Sequence, residues 1–210
     1  QLTGGHGGDR WTHINLVEPL PNPVMEEPIR QILGLTQKGL EEVLSGKRAL
    51  NGKVGGIAIK EALGRINLES AIEHTRSTIK GGSKTKRDQA VKVLGYLEGM
   101  KKYDLRPEDM VMSMVPVIPP SMRPITSYKR MVIPADANLL YKDLFLANDA
   151  LRQMRGAVGE TNLGNERLQL YNSFKAVTGL GDPVQPKLAE KHVKGLLAHV
   201  FGEGSPKTGM

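Results

Sequence analysis

Pro116, Pro119, Pro120 and Pro124 crowd into nine residues, and they constrain what this chain can fold into more than any other feature. Each ring fixes φ and removes a backbone donor, so neither a helix nor a central strand can continue through the stretch. The text around it, MVMSMVPVIPPSMRPITSYKRMVIPADANLLY from Met110 to Tyr141, joins three unlike pieces. Val111, Met114 and Val115 make a short apolar run, long enough for a strand. Arg123, Lys129 and Arg130 follow on a basic loop. Asp136 then stands just ahead of a long helical pattern, where a carboxylate can cap the first orphan N–H groups. A rigid turn thus delivers a basic loop and launches a helix.

The helical pattern is the cleanest in the chain. Leu140, Leu144, Ala147, Leu151, Met154 and Val158 step by 4, 3, 4, 3 and 4 residues, the spacing of a coiled-coil seam. Glu160 to Gly164 make a turn. Leu163, Leu170, Phe174 and Val177 mark a returning helix, ended by Gly179 and Gly181. So short a turn brings the helices back antiparallel, and residues 137–178 are expected as a projecting helical hairpin. On pattern alone such a hairpin is a packing or oligomerisation element.

The rest of the chain reads as short segments. Residues 1–12 are a Gly-rich lead-in. A strand is expected around His13-Ile14-Asn15-Leu16, then two short helices within 23–46, with Thr36 capping the second. The loop 47–56 is basic and glycine-containing, but it lacks the G-x4-G-K-[ST] text of a phosphate cradle. Helices follow at about 57–64, at 67–79 with Asn67 as cap, and from Thr85 to Lys102. The last of these carries Lys86, Arg87, Lys92 and Lys101 opposite its apolar side, which by itself reads as a solvated face. A helix over 188–201 is expected near the end.

Composition narrows the classes. Lys and Arg number 29 against 22 acids in 210 residues, an excess of +7 that suits a polyanion partner without requiring one. Hydrophobic content of 39% and aromatic content of 4% favour a many-segmented body over one thick core. Cysteine is absent, which removes disulfides and thiolate metal sites. His6 and His13 lack the partners of a metal site. No apolar run approaches a membrane span, and no charged-then-apolar leader opens the chain, which points to a soluble cytoplasmic protein. A start at Gln1 rather than Met suggests a piece of a longer polypeptide. No Gly-x-Ser-x-Gly, His-Glu-x-x-His or Rossmann glycine set occurs, and Pro134-Ala135-Asp136-Ala137-Asn138 offers one acid where a two-metal site needs several.

Pro116-Val117-Ile118-Pro119-Pro120-x-x-Arg123-Pro124, followed by Asp136-x-Asn138-x-Leu140-Tyr141, resembles the clamp region of the β′ subunit of multisubunit DNA-directed RNA polymerase. Both texts stand in the family's order and at about its spacing. His13-Ile14-Asn15-Leu16, Gly55-Gly56-Ile57-Ala58, Asn67-Leu68-Glu69 and Asp104-Leu105-Arg106-Pro107 are similar to family segments on the N-terminal side. Asn165-Glu166-Arg167 matches the family's Asn-Glu-Lys on the other.

The resemblance implies a mainly α fold with a few short β-strands, a compact helical body and a projecting antiparallel helical hairpin. The expected divisions are 1–110 (clamp body), 111–136 (strand plus proline-rich basic loop, the family's lid), 137–178 (the clamp helices) and 179–210 (a rudder-like loop, a helix and the start of a switch-like segment). It implies a part of the largest polymerase subunit, a nucleotidyltransferase of transcription, whose clamp encloses template DNA and docks a sigma-like initiation factor. Arg123, Lys129, Arg130, Lys187 and Lys207 are the implied nucleic-acid contacts. Asp149, Arg152, Asn165, Glu166 and Arg167 are the implied factor contacts, although Ala147 and Ala150 stand where the family places factor-facing arginines. No catalytic residue and no metal ligand is expected here; Mg²⁺ belongs to the complete polymerase. Implied partners are β-type subunits, a sigma-like factor, template DNA and the RNA–DNA hybrid, with no membrane. A divergent, phage-encoded version would work in the host cytoplasm or nucleoid. The other reading is a stand-alone helical-hairpin adaptor that binds a protein partner.

Overall fold

The structure is a computed structural model, and it describes residues 8–129, 131–159 and 162–201. The chain divides into two compact units, one of residues Glu18–Met112 and one of Gln1–Val17 with Ser113–Met210. The expected mainly α class with a few short strands is what the described residues form. Strand β1 (Thr12–Pro21) pairs with β2 (Val111–Val117) in a two-stranded sheet, and both crossings between units fall inside these strands. β2 runs on through Pro116, one residue past where the proline was expected to stop it. A two-stranded sheet leaves each strand one open edge, where a missing donor costs nothing.

In the unit of residues 18–112, α1 (Glu26–Ile32), α2 (Gln37–Ser45), α3 (Gly55–Gly64), α4 (Leu68–Gly81) and α5 (Lys84–Lys102) surround a core of Leu20, Ile29, Leu40, Val43, Leu44, Ile59 and Leu63, all 0% exposed. Both caps read from the sequence form. Thr36 Oγ1 accepts from the Gly39 amide and Asn67 Oδ1 from the Ser70 amide, each at 3.0 Å, satisfying a donor that the helix cannot. The basic loop closes as a turn in which the Leu50 and Lys53 backbones bond each other at 2.8 and 3.1 Å across Asn51-Gly52. Gly56 marks the tightest approach: a Cβ there would lie 1.7 Å from the Pro19 carbonyl oxygen. Only glycine lets α3 meet the strand backbone so closely.

In the other unit, β3 (Ile125–Tyr128) and β4 (Met131–Pro134) form an antiparallel hairpin, with Ile125 opposite Pro134 and Tyr128 opposite Met131. The stretch expected as a basic loop is therefore a β-hairpin that turns between Tyr128 and Met131, with Lys129 at φ +45°. Helix α6 (Asp136–Ala157) and α7 (Gly164–Thr178) follow and pack together over Leu140, Leu144, Leu151, Leu163, Leu170, Phe174 and Val177, none more than 2% exposed. The seam opens at Met154, which is 36% exposed.

Asp136 does not cap this helix. Ala135 occupies the cap position without a side-chain bond, and Asp136 lies in the first turn with Oδ2 accepting from the Lys194 amide at 3.3 Å. The extended backbone at Pro134 and Ala135 starts the helix one residue early, where a carboxylate still complements the dipole. α6 is also held along its length. Asn148, 2% exposed, accepts from the Val17 amide and donates to the Asn15 carbonyl, both at 2.9 Å, and Arg155 Nη1 donates to the Val17 carbonyl at 3.2 Å. One amide side chain thus serves the edge of β1 as a neighbouring strand would. The expected single helix over 188–201 is two, α8 (Pro186–Glu190) and α9 (Leu196–Phe201), because His192 adopts φ +51° between them.

Candidate functional site

The two texts that carried the resemblance are bonded to each other. Arg123 Nε donates to the Ile118 carbonyl at 2.9 Å and its Nη1 to Asn138 Oδ1 at 2.7 Å. Asn138 Nδ2 returns a bond to the Arg123 carbonyl at 2.8 Å. Tyr141 Oη donates to the Pro116 carbonyl at 3.0 Å and accepts from the Ile118 amide at 3.3 Å. The prolines remove donors and straighten the chain, leaving carbonyls that only side chains can reach. Arg123, Asn138 and Tyr141 supply that need from one turn of helix and one turn of loop. Burial pushes the Tyr141 hydroxyl pKa up, against smaller opposing effects of the Ile118 amide and Arg123. The base of β3–β4 is closed by the Ala135 amide on the Pro124 carbonyl at 3.0 Å.

This bracing sorts the nucleic-acid candidates. Arg123 is half-buried and turned inward, spending its guanidinium on Ile118 and Asn138. It holds the turn rather than a ligand. Lys129 is exposed at the hairpin tip, with Nζ 5.3 Å from the centroid of the Tyr128 ring. The hairpin bears a further feature that charge counting missed: Tyr128, Met131, Val132 and Ile133 are 58, 62, 69 and 47% exposed. A cation beside aromatic and apolar side chains suits a base face or a sugar as well as a phosphate. Lys187 is exposed on α8, a separate element. Arg130 and Lys207 lie outside the described residues, as does His6.

The factor-contact candidates are likewise divided. On α6, Arg152 Nη1 lies 3.5 Å from Asp149 Oδ1, and Gln153 donates to Asp149 Oδ2 at 2.7 Å. Asn165 is exposed at the start of α7, and Glu166 beside it is half-buried. Arg167 is 2% exposed and belongs to the interior, which leaves Asn165 and Glu166 as the accessible part of that text. Ala147 is 4% exposed in the seam, where an arginine would not fit, whereas Ala150 is exposed. Phe145 and Leu146, 55 and 48% exposed on α6, are exposed apolar side chains that the heptad reading passed over because they fall off its seam. Asp143 is buried, with Oδ1 accepting from Gln185 Nε2, and burial raises its carboxyl pKa against the opposing charge of Lys142. Among the described residues no group of three or more His, Asp or Glu side chains is placed to hold a metal ion, and no helix is long and apolar enough to cross a membrane.

The described residues thus form a proline-braced β-hairpin that leads into a packed pair of helices. The chain is related, specifically, to the β′ subunit of DNA-directed RNA polymerase. It is 28% identical to the β′ subunit of Acholeplasma laidlawii over 207 residues, 80% of this chain and 15% of that protein. Identity is 31% over 125 residues with the Onion yellows phytoplasma subunit, 59% of this chain and 9% of the relative. With the Streptococcus agalactiae subunit it is 30% over 142 residues, 66% of this chain and 11% of the relative. The chain thus spans 9–15% of the length of these relatives. No family model matches it.

Proposed function

We propose that this chain is part of the clamp of a β′-type subunit of a DNA-directed RNA polymerase, acting in transcription with β-type subunits, template DNA and the RNA–DNA hybrid. The observation that supports this best is the bonded pair of motifs: Arg123, Asn138 and Tyr141 lock a turn whose only evident product is a fixed exposed hairpin. A pre-set hairpin loses less entropy on meeting a strand. Lys129 and Arg130 then contact phosphate, and Tyr128 offers a stacking face, so the lid parts RNA from template by position rather than by reading sequence. The chain contributes no nucleotidyl-transfer step. The one acid in its Pro-Ala-Asp text bonds a backbone amide, and the Mg²⁺ carboxylates are expected elsewhere in the complete subunit. Its setting is the cytoplasm, or a host's cytoplasm or nucleoid for a phage-encoded enzyme.

The α6–α7 pair serves as the docking site for a sigma-like factor, through Asp149, Arg152, Asn165 and Glu166, with Phe145 and Leu146 as apolar anchors. With Ala147 inside the seam and Ala150 uncharged, the partner is a dedicated factor rather than one that relies on arginines there. A stand-alone adaptor is the second reading, and exposed Phe145 and Leu146 favour it. The two separate in an assembled polymerase carrying the subunit. Changing Lys129 and Arg130 to Ala is expected to shorten elongation-complex lifetime and flatten its salt dependence by a log–log slope of about 1–2. Unchanged lifetimes across the salt series would count against the lid assignment.

A further inference from the structure

α4 and α5 lie against each other and treat their cations in two ways. Away from the connecting turn, the positive charges are neutralised across the pair: Arg76 Nη2 meets Glu98 Oε1 at 2.8 Å and Lys101 Nζ meets Glu69 Oε1 at 3.1 Å. At the turn, Lys80, Lys84, Lys86 and Arg87 are all exposed, and none has an ion pair among the described residues. Asp88, the acid that directly follows them, has an ion pair with none of them. Three of these cations occupy the first turn of a 19-residue helix that has no acid there. That is the end where the backbone is already positive, so they are placed against the helix's own stability. The turn is also built to hold them. A Cβ at Gly82 would lie 2.6 Å from the Thr78 carbonyl oxygen, 3.4 Å from Lys86 Cβ and 3.7 Å from Arg87 Cγ, so the stems of both cations pack on the bare backbone of the turn.

We infer that the α4–α5 turn, residues 80–87, is a second nucleic-acid-backbone site, separate from the β3–β4 hairpin. Its text, Lys-Gly-Gly-Ser-Lys-Thr-Lys-Arg, contains long cations, hydroxyls and glycines, and no apolar side chain. A peptide-docking surface needs buried apolar anchors to hold a partner. A phosphate backbone is bound by Lys, Arg and hydroxyl donors without any. The site reads charge and carries no base specificity. It extends the polymerase reading to another surface and uses none of the residues on which that reading rests.

The test is fluorescence anisotropy of the full chain with a labelled short DNA duplex across a salt series. Lys84→Gln, Lys86→Gln and Arg87→Gln together are expected to weaken binding about tenfold or more at low salt and to reduce the log–log salt slope by about 2–3, since each phosphate contact contributes about 0.9. Arg76→Gln with Lys101→Gln removes two charges that are already paired, and is expected to change the slope by under about 1. Lysine acetylation read by mass spectrometry provides a second measure, with the duplex expected to protect Lys80, Lys84 and Lys86. Four results would overturn the inference: no binding by the wild-type chain, an unchanged slope in the triple variant, equal losses in the triple and paired variants, or protection by poly-glutamate but not by duplex. If Lys129→Ala with Arg130→Ala abolishes binding while the triple variant keeps it, this site is wrong and the lid reading stands.

Discussion

Leu151→Asp should cost on the order of 4–5 kcal/mol, close to the whole stability of a modest unit. Leu151 is 0% exposed on α6, and Leu144, Leu163 and Leu170 of the same helix pair are equally buried. A carboxylate there replaces apolar packing and loses its water, so the helices must part or the acid must take a proton. Leu151→Met keeps the volume and should lose less than about 1.5 kcal/mol. Denaturant titration followed by circular dichroism measures both. A loss below about 1 kcal/mol for the aspartate variant would mean that the seam is not a closed core.

Asn138→Leu should cost about 2–3 kcal/mol, because it strands one arm of a half-buried guanidinium and the Arg123 carbonyl together. The side-chain amide makes both bonds, at 2.7 and 2.8 Å, and leucine can make neither. The effect should also be local. Amide hydrogen exchange in β3 and β4 should speed up, while the amides of α4 and α5 keep their protection. Equal acceleration everywhere would show a general loss of stability rather than release of a braced hairpin.

What was legible in the sequence was what neighbours in the chain decide. Thr36 and Asn67 were readable as caps because a cap's partner lies three residues away. Leu140 to Leu151 were readable because a seam repeats. The hairpin was not, because the positive φ that turns it falls on Lys129 rather than on the Asn or Gly that usually marks one. Arg123 looked like a phosphate ligand because sequence displays charge, whereas its partner Asn138 is fifteen residues on. Arg167 was read outward for the same reason and is inside. Asn148 gave no sign at all: the strand it completes is over 130 residues away. The two texts are recognisable in the sequence by resemblance alone, and the bonds of Arg123, Asn138 and Tyr141 explain why they belong together.

The most direct measurement is a photocrosslink from the hairpin. A benzophenone side chain replaces Tyr128, which is 58% exposed and one residue from the turn, in the subunit that carries this chain. The complex is assembled with its partner subunits on an RNA–DNA scaffold and irradiated. The expected result is a crosslink to RNA or template strand that moves with each added nucleotide. A crosslink to protein alone, in complexes that still extend RNA, would contradict the account.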